Sequence, residues 1–352
     1  MSINRYLLQK SIHPLLICGD SLEILQNVPE NSIDMVITSP PYWGKREYIN
    51  GGIGLEKDYN NYICNLLQIF SEIKRILKQE GSFWLNIGDT YKNKSLMGIP
   101  WRIALKMVDE QGWILRNEVV WNKIKGGMDN SKDKLGNVHE PVFHFVKENK
   151  YYYDADAIRS KPKATLVRNG TVISATGVSG IRYKRQIEMS TSLTDIEKRN
   201  AFLALEGILK EIKAGNICDF RMIIRGQQRV THSNSLNVSG RAKELKDKGY
   251  YFLKYNPNGS KPRDVWDIIP EDTQNRKEHF APFPEDLCKI PILATCPIDG
   301  IMLDPFVGTG TSVAVAYLFG RKSIGIDISE EYIKLAERRF FEPSLFEAAA
   351  NE

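Results

Sequence analysis

The chain has 352 residues, 42% of them hydrophobic and 26% charged, which is typical of a soluble globular protein with one large or two ordinary domains. No apolar run approaches the roughly 18 residues of a membrane span, and the first residues are too polar for a signal peptide, so we expect a cytoplasmic protein. The five cysteines form no C-x-x-C pair, which argues against a structural zinc site, and we expect no metal ligands.

The net charge of +5 is unevenly distributed along the chain. Residues 159–263 carry 21 Lys and Arg against 8 Asp and Glu, a net charge of +13, whereas the rest of the chain carries −8. A concentration of positive charge is typical of a surface that binds nucleic acid. A solvated surface insert is the alternative.

The first 158 residues alternate between strand and helix patterns. Short apolar runs predict strands, and apolar residues three and four apart predict helices. In chain order the predictions are a strand in LLICGD, a strand in IDMVITS, a helix over 59–81 that stops at Gly81, a strand in SFWLNIGD, a helix in IPWRIALKMVDEQGW, and strands in LRNEVVWNK and EPVFHFVK. This alternation indicates a mostly parallel sheet covered on both faces.

The middle of the chain is basic, rich in Gly, Asn and Ser, and weakly periodic, with one predicted helix over 193–215 and loops that we expect to be mobile. The last part returns to α/β patterns: a strand in GIMLDPF, a helix after GTGT, a strand in KSIGIDIS and a helix in EEYIKLAERRF. The simplest interpretation is one α/β domain, residues 1–158 plus 264–345, interrupted by a basic insert at 159–263.

A glycine loop follows the predicted strand in GIMLDPF. The segment LDPFVGTGTS places Asp304 at the strand end, and Gly308 and Gly310 before a helix, where glycine lets backbone approach a ligand. Asp327 ends the next strand, 23 residues after Asp304, a spacing that suits a ribose diol. Valine occupies the third glycine position of a dinucleotide fingerprint, and no lysine follows as in a P-loop. A site with two acids and no phosphate-binding lysine suits a nucleoside without phosphates, such as S-adenosylmethionine. A purely structural β–α turn is the alternative, which the two acids make less favoured.

The stretch MVITSPPYW ends a predicted strand with Ser39-Pro40-Pro41-Tyr42. Proline cannot continue a sheet ladder, so the strand must stop in a rigid loop. Together, TSPPYW and DPFVGTG resemble the two motifs of the DNA amino-methyltransferases, and their order is similar to that of the β group. Segments elsewhere that look like family segments, in family order, are GDSLEIL, EIKRILKQEGSFWLNIGD, EVVWNK, HEPVFHFVK and HFAPFPEDL.

The resemblance implies a Rossmann-like, mixed but mostly parallel seven-stranded sheet with helices on both faces, circularly permuted and interrupted by a target-recognition region. Residues 1–158 plus 264–345 would then form the catalytic S-adenosylmethionine-dependent domain, and 159–263 the DNA-recognition region. The implied partners are double-stranded DNA and, in a restriction–modification system, a cognate restriction endonuclease. Relatives of the β group occur as monomers and as homodimers.

The implied reaction is methyl transfer to the exocyclic N4 of a flipped cytosine, because serine at the first tetrapeptide position is more often associated with cytosine than with adenine. Methylation of adenine N6 on the same fold is the alternative. A non-catalytic DNA-binding protein with a vestigial cofactor fold is a third, less favoured hypothesis. No Pro-Cys dipeptide is present, which argues against methylation at cytosine carbon 5.

The tetrapeptide residues have a chemical rationale. The hydroxyl of Ser39 and the carbonyl of Pro40 can accept hydrogen bonds from an amino group whose lone pair must face the methyl donor, while Pro41 keeps the loop rigid. Tyr42 offers a ring face to a flipped base. By resemblance Trp121 lines the opposite side of the base pocket; an ordinary core aromatic is the equally favoured alternative.

The expected cofactor-binding residues surround the glycine loop. Asp20 either accepts from the adenine amino group or caps a helix; Asp304 either orients the loop or meets the methionine ammonium. The others are Phe306 beside the adenosine, Gly308, Gly310 and Thr311 in the loop, and Asp327 at the ribose. By resemblance 279–287 closes over the methionine end.

Two other segments carry weaker predictions. In HEPVFH the histidines are five apart with a proline between them, so a zinc-protease helix is excluded and a strand is expected. Basic residues of the insert are candidates for contacts with phosphate or guanine, namely Arg182, Lys184, Arg185, Arg221, Arg225 and Arg229.

Overall fold

The computed structural model describes residues 2–45, 52–124, 131–160, 166–168, 171–173, 180–226, 240–270 and 284–341. The chain divides into two compact units: unit 1 consists of Met1–Ile158 and Arg263–Glu352, and unit 2 of Arg159–Pro262. Within the described ranges, no helix is long and apolar enough to cross a membrane.

The regular elements of the described residues are numbered in chain order. The strands are β1 (Leu15–Cys18), β2 (Ile33–Thr38), β3 (Leu77–Asn86), β4 (Tyr91–Lys92), β5 (Ser95–Leu96), β6 (Ile114–Asn122), β7 (His139–Val146), β8 (Leu166–Arg168), β9 (Thr171–Ile173), β10 (Asp219–Ile224), β11 (Tyr250–Tyr255), β12 (Val265–Asp267), β13 (Ile301–Asp304) and β14 (Lys322–Asp327). The helices are α1 (Ile3–Leu8), α2 (Ser21–Gln26), α3 (Tyr59–Ile76), α4 (Ile99–Asp109), α5 (Gly180–Glu188), α6 (Asp195–Lys213), α7 (Gly240–Lys248), α8 (Glu285–Thr295), α9 (Thr311–Leu318) and α10 (Glu330–Phe341).

Unit 1 is built on one mixed, mostly parallel sheet with the order β1-β14-β13-β2-β3-β7-β6-β12. Only β7 runs antiparallel to its neighbours β3 and β6. Seven strands are predicted from the sequence, and the sheet has eight. The additional strand is β12. It has three residues, pairs in parallel with β6 and is the outermost strand on that side of the sheet.

Both faces of this sheet are covered by helices, as predicted. Along β2, Val36 faces one apolar cluster while Met35 and Ile37 face another, which is the alternation of a strand buried on two sides. The first cluster includes Tyr6 of α1, Leu25 of α2, Ile63 of α3 and Ile103 of α4; the second includes Leu287 of α8, Val315 of α9 and Ile333 of α10.

The two ends of the chain interleave in the sheet. Strands β13 and β14, from the last part of the chain, lie between β1 and β2, which come from its first part. Five neighbouring strands run parallel, namely β1, β14, β13, β2 and β3, so their carboxyl-terminal ends lie along one edge of the sheet. This is the edge at which α/β proteins place their ligands. Because β7 is antiparallel, it begins at that same edge.

The boundary between α3 and β3 differs from the prediction. The helix ends at Ile76, and Gly81 lies inside β3 rather than stopping the helix. Leu77 already has extended backbone angles, φ −64° and ψ 138°. A Cβ at Gly81 would lie 3.0 Å from the carbonyl oxygen of Asp34 on β2, so this glycine allows the two strands to approach.

Unit 2 has its own apolar core and more regular structure than the sequence predicts. The predicted helix is present as α6, which begins with a capping box formed by Thr194 and Glu197. Helices α5 and α7 and the antiparallel pair β10–β11 are not predicted. The reason is plain for α7, because none of its side chains is buried and it therefore has no apolar periodicity.

Candidate functional site

A cavity of about 530 Å³ opens at the edge of the unit 1 sheet where the parallel strands end. It brings together nearly all of the site residues predicted from the sequence. Those that line it are Asp20, Ser39, Pro40, Pro41, Tyr42, Trp121, Asp304, Phe306, Gly308, Thr311 and Asp327. Gly310 is not among the lining residues.

The carboxylate of Asp304 joins the two motif loops beneath this cavity. Its Oδ1 accepts hydrogen bonds from the Thr38 hydroxyl at 2.6 Å and the Phe306 N–H at 3.0 Å, and its Oδ2 accepts from the Ser312 hydroxyl at 2.5 Å. Burial raises the pKa of Asp304 to about 6, although the three hydrogen bonds favour the charged form. These contacts are those of a residue that orients the glycine loop, one of its two predicted roles.

Asp327 ends β14 with its carboxylate held by backbone. Its Oδ2 accepts from the Gly308 N–H and its Oδ1 from the Ser329 N–H, each at 2.9 Å. Burial raises the pKa of this carboxyl group. Gly310 instead has φ 85°, and a Cβ there would lie 2.7 Å from the Cβ of Ala336, so close packing against α10 explains this glycine.

Asp20 follows β1 beside Asp327, since the Gly19 N–H donates to the Asp327 carbonyl at 2.9 Å. One of its carboxylate oxygens caps α2 by accepting from the N–H groups of Leu22 and Glu23. Capping was one of the two roles predicted for Asp20. Its side chain is exposed and lines the cavity, so Asp20 can cap α2 and still face a ligand.

The Ser-Pro-Pro-Tyr loop is braced from several directions. The Tyr62 hydroxyl on α3 donates to the Pro41 carbonyl at 2.8 Å, and the Thr90 hydroxyl donates to the Trp43 carbonyl at 3.0 Å. Trp43 itself is buried and donates its indole N–H to the Glu56 carbonyl at 2.8 Å. The tetrapeptide backbone is therefore fixed by its surroundings as well as by its prolines.

Three polar side chains, from β3, from β7 and from the residue after β6, complete the site, and the sequence does not predict them. Asn86 Oδ1 lies 3.2 Å from the Ser39 hydroxyl and 3.1 Å from the Tyr42 hydroxyl. The Tyr42 hydroxyl donates its proton to the nearer acceptor, Glu140 Oε2 at 2.8 Å, and Lys123 donates to Glu140 Oε1 at 2.5 Å. HEPVFH is a strand as expected, and its antiparallel direction brings Glu140 to the cavity.

Trp121 is a core aromatic that also reaches the cavity. Its ring is 5% exposed and packs into the second apolar cluster, and its indole N–H donates to the Ile268 carbonyl at 2.8 Å. It also lines the cavity, with the Lys123 ammonium 4.8 Å from the ring centre.

Gly88 leaves the space that the ring of Tyr42 occupies. No feature of the sequence distinguishes this glycine from other glycines at strand ends. A Cβ at Gly88 would lie 2.4 Å from Cε2 and 2.8 Å from Cδ2 of Tyr42. Real Cβ atoms essentially never approach this closely, so the Tyr42 ring depends on a glycine at this position.

The basic residues of unit 2 that were predicted to contact DNA differ in their ion pairs and in their exposure. Arg225, the residue after β10, donates to Glu197 of α6 at 2.7 Å and to the Ser192 carbonyl, so its guanidinium links the end of β10 to α6. Lys184 lies 3.5 Å from Glu206. Arg185 and Arg221 have exposed side chains.

Two predictions fall partly outside the described residues. Arg229 lies there, as do residues 279–283 of the segment expected to close over the methionine end. In the described remainder of that segment, Pro284 is the N-cap residue of α8 and 285–287 form the first turn of the helix.

The model of a family described as DNA methylase, covering methylation at N6 and N4, matches residues 33–338. The chain belongs to this DNA methylase family. It is 31% identical to the type II methyltransferase M.SfiI of Streptomyces fimbriatus, over 90% of this chain and 89% of that protein. It is 28% identical to M.SmaI of Serratia marcescens, over 92% of this chain and 89% of that protein. This chain is therefore a DNA methyltransferase of the type II modification kind.

Two solved structures share the fold of the methylase. The cytosine-N4-specific PvuII DNA methyltransferase matches with a TM-score of 0.57 and 18% identity, over 94% of this chain and 86% of that one. A DNA modification methylase of Thermus thermophilus, solved in complex with S-adenosyl-L-methionine, matches with a TM-score of 0.51 and 19% identity, over 94% of this chain and 95% of that one. These likenesses confirm the predicted Rossmann-like methyltransferase fold.

Replacing Gly88 by alanine should slow DNA methylation by about tenfold or more, because the new methyl group must displace the Tyr42 ring from the site. The measurement is the single-turnover rate of methyl transfer to DNA. Gly136→Ala is the matched control, since no heavy atom lies within 4 Å of its Cβ position. Equal rates for the two variants would contradict the packing role of Gly88.

The raised pKa of Asp304 makes stability depend on pH. Because the folded protein keeps this proton up to a pKa of about 6 while the unfolded chain releases it near 3.8, stability falls as pH rises between these values. The free energy of unfolding of the wild type, relative to Asp304→Asn, should fall by about 3 kcal/mol across this interval. Urea unfolding at a series of pH values measures the difference; parallel curves would contradict it.

Proposed function

We propose that this methylase transfers a methyl group from S-adenosylmethionine to the exocyclic N4 of a flipped cytosine in double-stranded DNA, as the modification enzyme of a restriction–modification system. The observation that carries the proposal is Ser39, whose hydroxyl lines the cavity next to the glycine loop. Serine at this position favours cytosine over adenine. The fold is also that of a methyltransferase named for cytosine N4.

The residues of the cavity fit the proposed cofactor. Its volume of about 530 Å³ lies within the range of roughly 300–1,000 Å³ typical of ligand pockets. Asp327 is held by two backbone N–H groups and offers its remaining lone pairs to a ribose diol. Phe306, Ile328 and Tyr332 supply apolar surface for an adenosine. Carboxylates in the lining suit a cationic ligand.

The remaining residues would hold the target base. S-adenosylmethionine, when bound, supplies an electrophilic methyl group on a positively charged sulfur. The Ser39 hydroxyl and Pro40 carbonyl accept hydrogen bonds from the amino group of the base, which orients the nitrogen lone pair toward that methyl group. Tyr42 stacks on the flipped base, and Gly88 keeps the ring in position.

We assign DNA recognition to unit 2. Its charge of +13 across 159–263 suits the phosphate backbone, and Arg185 and Arg221 present exposed side chains. Arg225 is a poorer candidate for reading DNA because Glu197 and backbone carbonyls occupy its guanidinium. A cognate endonuclease that cuts the same DNA site is the partner expected of such a modification enzyme.

Two substitutions should separate catalysis from cofactor binding. Ser39→Ala should lower the rate of methyl transfer by about 100-fold or more, with cofactor affinity close to wild type, because the amino group loses an acceptor. Asp327→Ala should weaken cofactor binding by about tenfold or more, because the ribose loses a charged acceptor. Single-turnover kinetics and calorimetric titration with S-adenosylmethionine measure the two effects; wild-type turnover by Ser39→Ala would refute the assignment.

The target atom is tested by mass analysis of nucleosides from DNA that the protein has modified. We expect N4-methylcytosine. If the methyl label were found only in N6-methyladenine, the cytosine assignment would be wrong and adenine N6, the alternative on the same fold, would replace it. Unmodified DNA together with absent cofactor binding would favour a non-catalytic DNA-binding protein.

A further inference from the structure

A line of hydrogen-bonding groups leads away from the tetrapeptide into the wall of the cavity. The Ser39 hydroxyl lies 3.3 Å from the Tyr42 hydroxyl, which in turn donates to Glu140 Oε2 at 2.8 Å. The side chain of Glu140 is 14% exposed, and Lys123 pairs with its other oxygen. The line therefore runs from the position proposed for the amino group to a carboxylate with its own counter-ion.

Asn86 lies beside the two hydroxyls of this line. Its Oδ1 lies within hydrogen-bond distance of both Ser39 and Tyr42. Its amide nitrogen donates to the Pro141 carbonyl at 3.2 Å and to Glu140 Oε2 at 3.3 Å, which fixes the orientation of the amide. An amide takes up no proton at neutral pH, so the proton acceptor beside these two hydroxyls is Glu140 and not Asn86.

The other carboxylates of the cavity lining are less suited to receive a proton from the tetrapeptide. Asp304 already accepts from three donors. Asp20 lies beyond the end of β1 and Asp327 is the last residue of β14. Strand β14 lies two strands from β2, a distance of about 10 Å. Glu140 is thus the lining carboxylate in hydrogen-bond contact with a tetrapeptide side chain.

We propose that Glu140 is the final acceptor of the proton that the target amine loses, and that the proton passes through the hydroxyls of Ser39 and Tyr42. The inference rests on the proposed function only in requiring an exocyclic amine, and it holds for cytosine N4 and adenine N6 alike.

The proposed transfer balances in atoms and charge. The amine nitrogen uses its lone pair to form the bond to the methyl carbon and becomes cationic, while the electrons of the broken carbon–sulfur bond stay on sulfur. The surplus proton passes from nitrogen to Ser39, the Ser39 proton to Tyr42, and the Tyr42 proton to Glu140 Oε2. Both hydroxyls end neutral, and the neutral carboxyl group of Glu140 returns its proton to solvent after the base leaves.

The electrostatics of Tyr42 agree with this role. Burial and the charge of Glu140 hold the pKa of Tyr42 well above its usual value, so the hydroxyl remains a proton donor at neutral pH. A neutral hydroxyl between an acceptor and a donor can take up one proton as it releases another.

The contact itself is tested in the protein without cofactor or DNA. Replacing Glu140 by glutamine should lower the pKa of Tyr42, followed by NMR of tyrosine labelled with ¹³C at Cζ and assigned with Tyr42→Phe. Glu118→Gln, an exposed carboxylate on the neighbouring strand β6, is the matched control and should leave Tyr42 unchanged. A Tyr42 titration insensitive to Glu140→Gln would overturn the proposal.

The transfer is tested by single-turnover kinetics. Glu140→Gln should slow methyl transfer by about 100-fold and make its rate rise with hydroxide concentration, because solvent must then take the proton. Affinities for DNA and cofactor should stay within a few-fold of wild type, and Glu118→Gln should react like wild type. If the wild type methylates DNA and Glu140→Gln does so equally fast, the relay alone is wrong. Absence of methylation by the wild type would refute both the relay and the proposed function.

Added anions that restore the methyl-transfer rate of Glu140→Ala can distinguish proton acceptance by Glu140 from a purely structural role. Formate, a small basic carboxylate, should restore much of the lost rate. Nitrate, an anion of similar shape and charge but negligible basicity, should not. Equal rescue by the two anions would show that only the charge opposite Lys123 matters, and would overturn the relay.

Discussion

The buried carboxylate of Asp304 holds together the two loops that form the cavity. It accepts from Thr38 at the end of β2, from Phe306 in the glycine loop and from Ser312 in the first turn of α9, so it joins segments more than 260 positions apart in the chain. Burying a charge is costly, and the three donors offset only part of that cost, because burial still raises the pKa of Asp304 to about 6. The tetrapeptide and the glycine loop therefore form one rigid surface.

The order of the strands explains why the tetrapeptide and the glycine loop lie next to each other. With β13 inserted beside β2, the loop that follows each strand emerges at the same edge of the sheet. The antiparallel strand β7 then starts at that edge and contributes Glu140, while β3 ends there with Asn86. Residues from distant parts of the sequence meet because strand order and direction, rather than chain proximity, determine which side chains are neighbours.

The sequence predicts those features whose effect on the backbone depends only on residues nearby in the chain. Two prolines after an apolar strand, or two glycines between a strand and a helix, restrict the backbone wherever they occur, so the tetrapeptide and glycine loop were found together with the α/β fold. Glu140 and Gly88 were not found, because their roles depend on the pairing of β3 with β7 and on the position of the Tyr42 ring. In unit 2, α7 buries no side chain and so carries no apolar pattern to detect.

The central claim is that the cavity beside Asp304 holds an exocyclic amine for methyl transfer, and a crystal structure of the ternary complex tests it most directly. The complex would contain duplex DNA with its modification site and a cofactor analogue that has no transferable methyl group. The account predicts a flipped base whose amino nitrogen lies about 3 Å from the Ser39 hydroxyl and the Pro40 carbonyl oxygen. A target base that remains stacked, or one whose amino group lies away from Ser39, would contradict it.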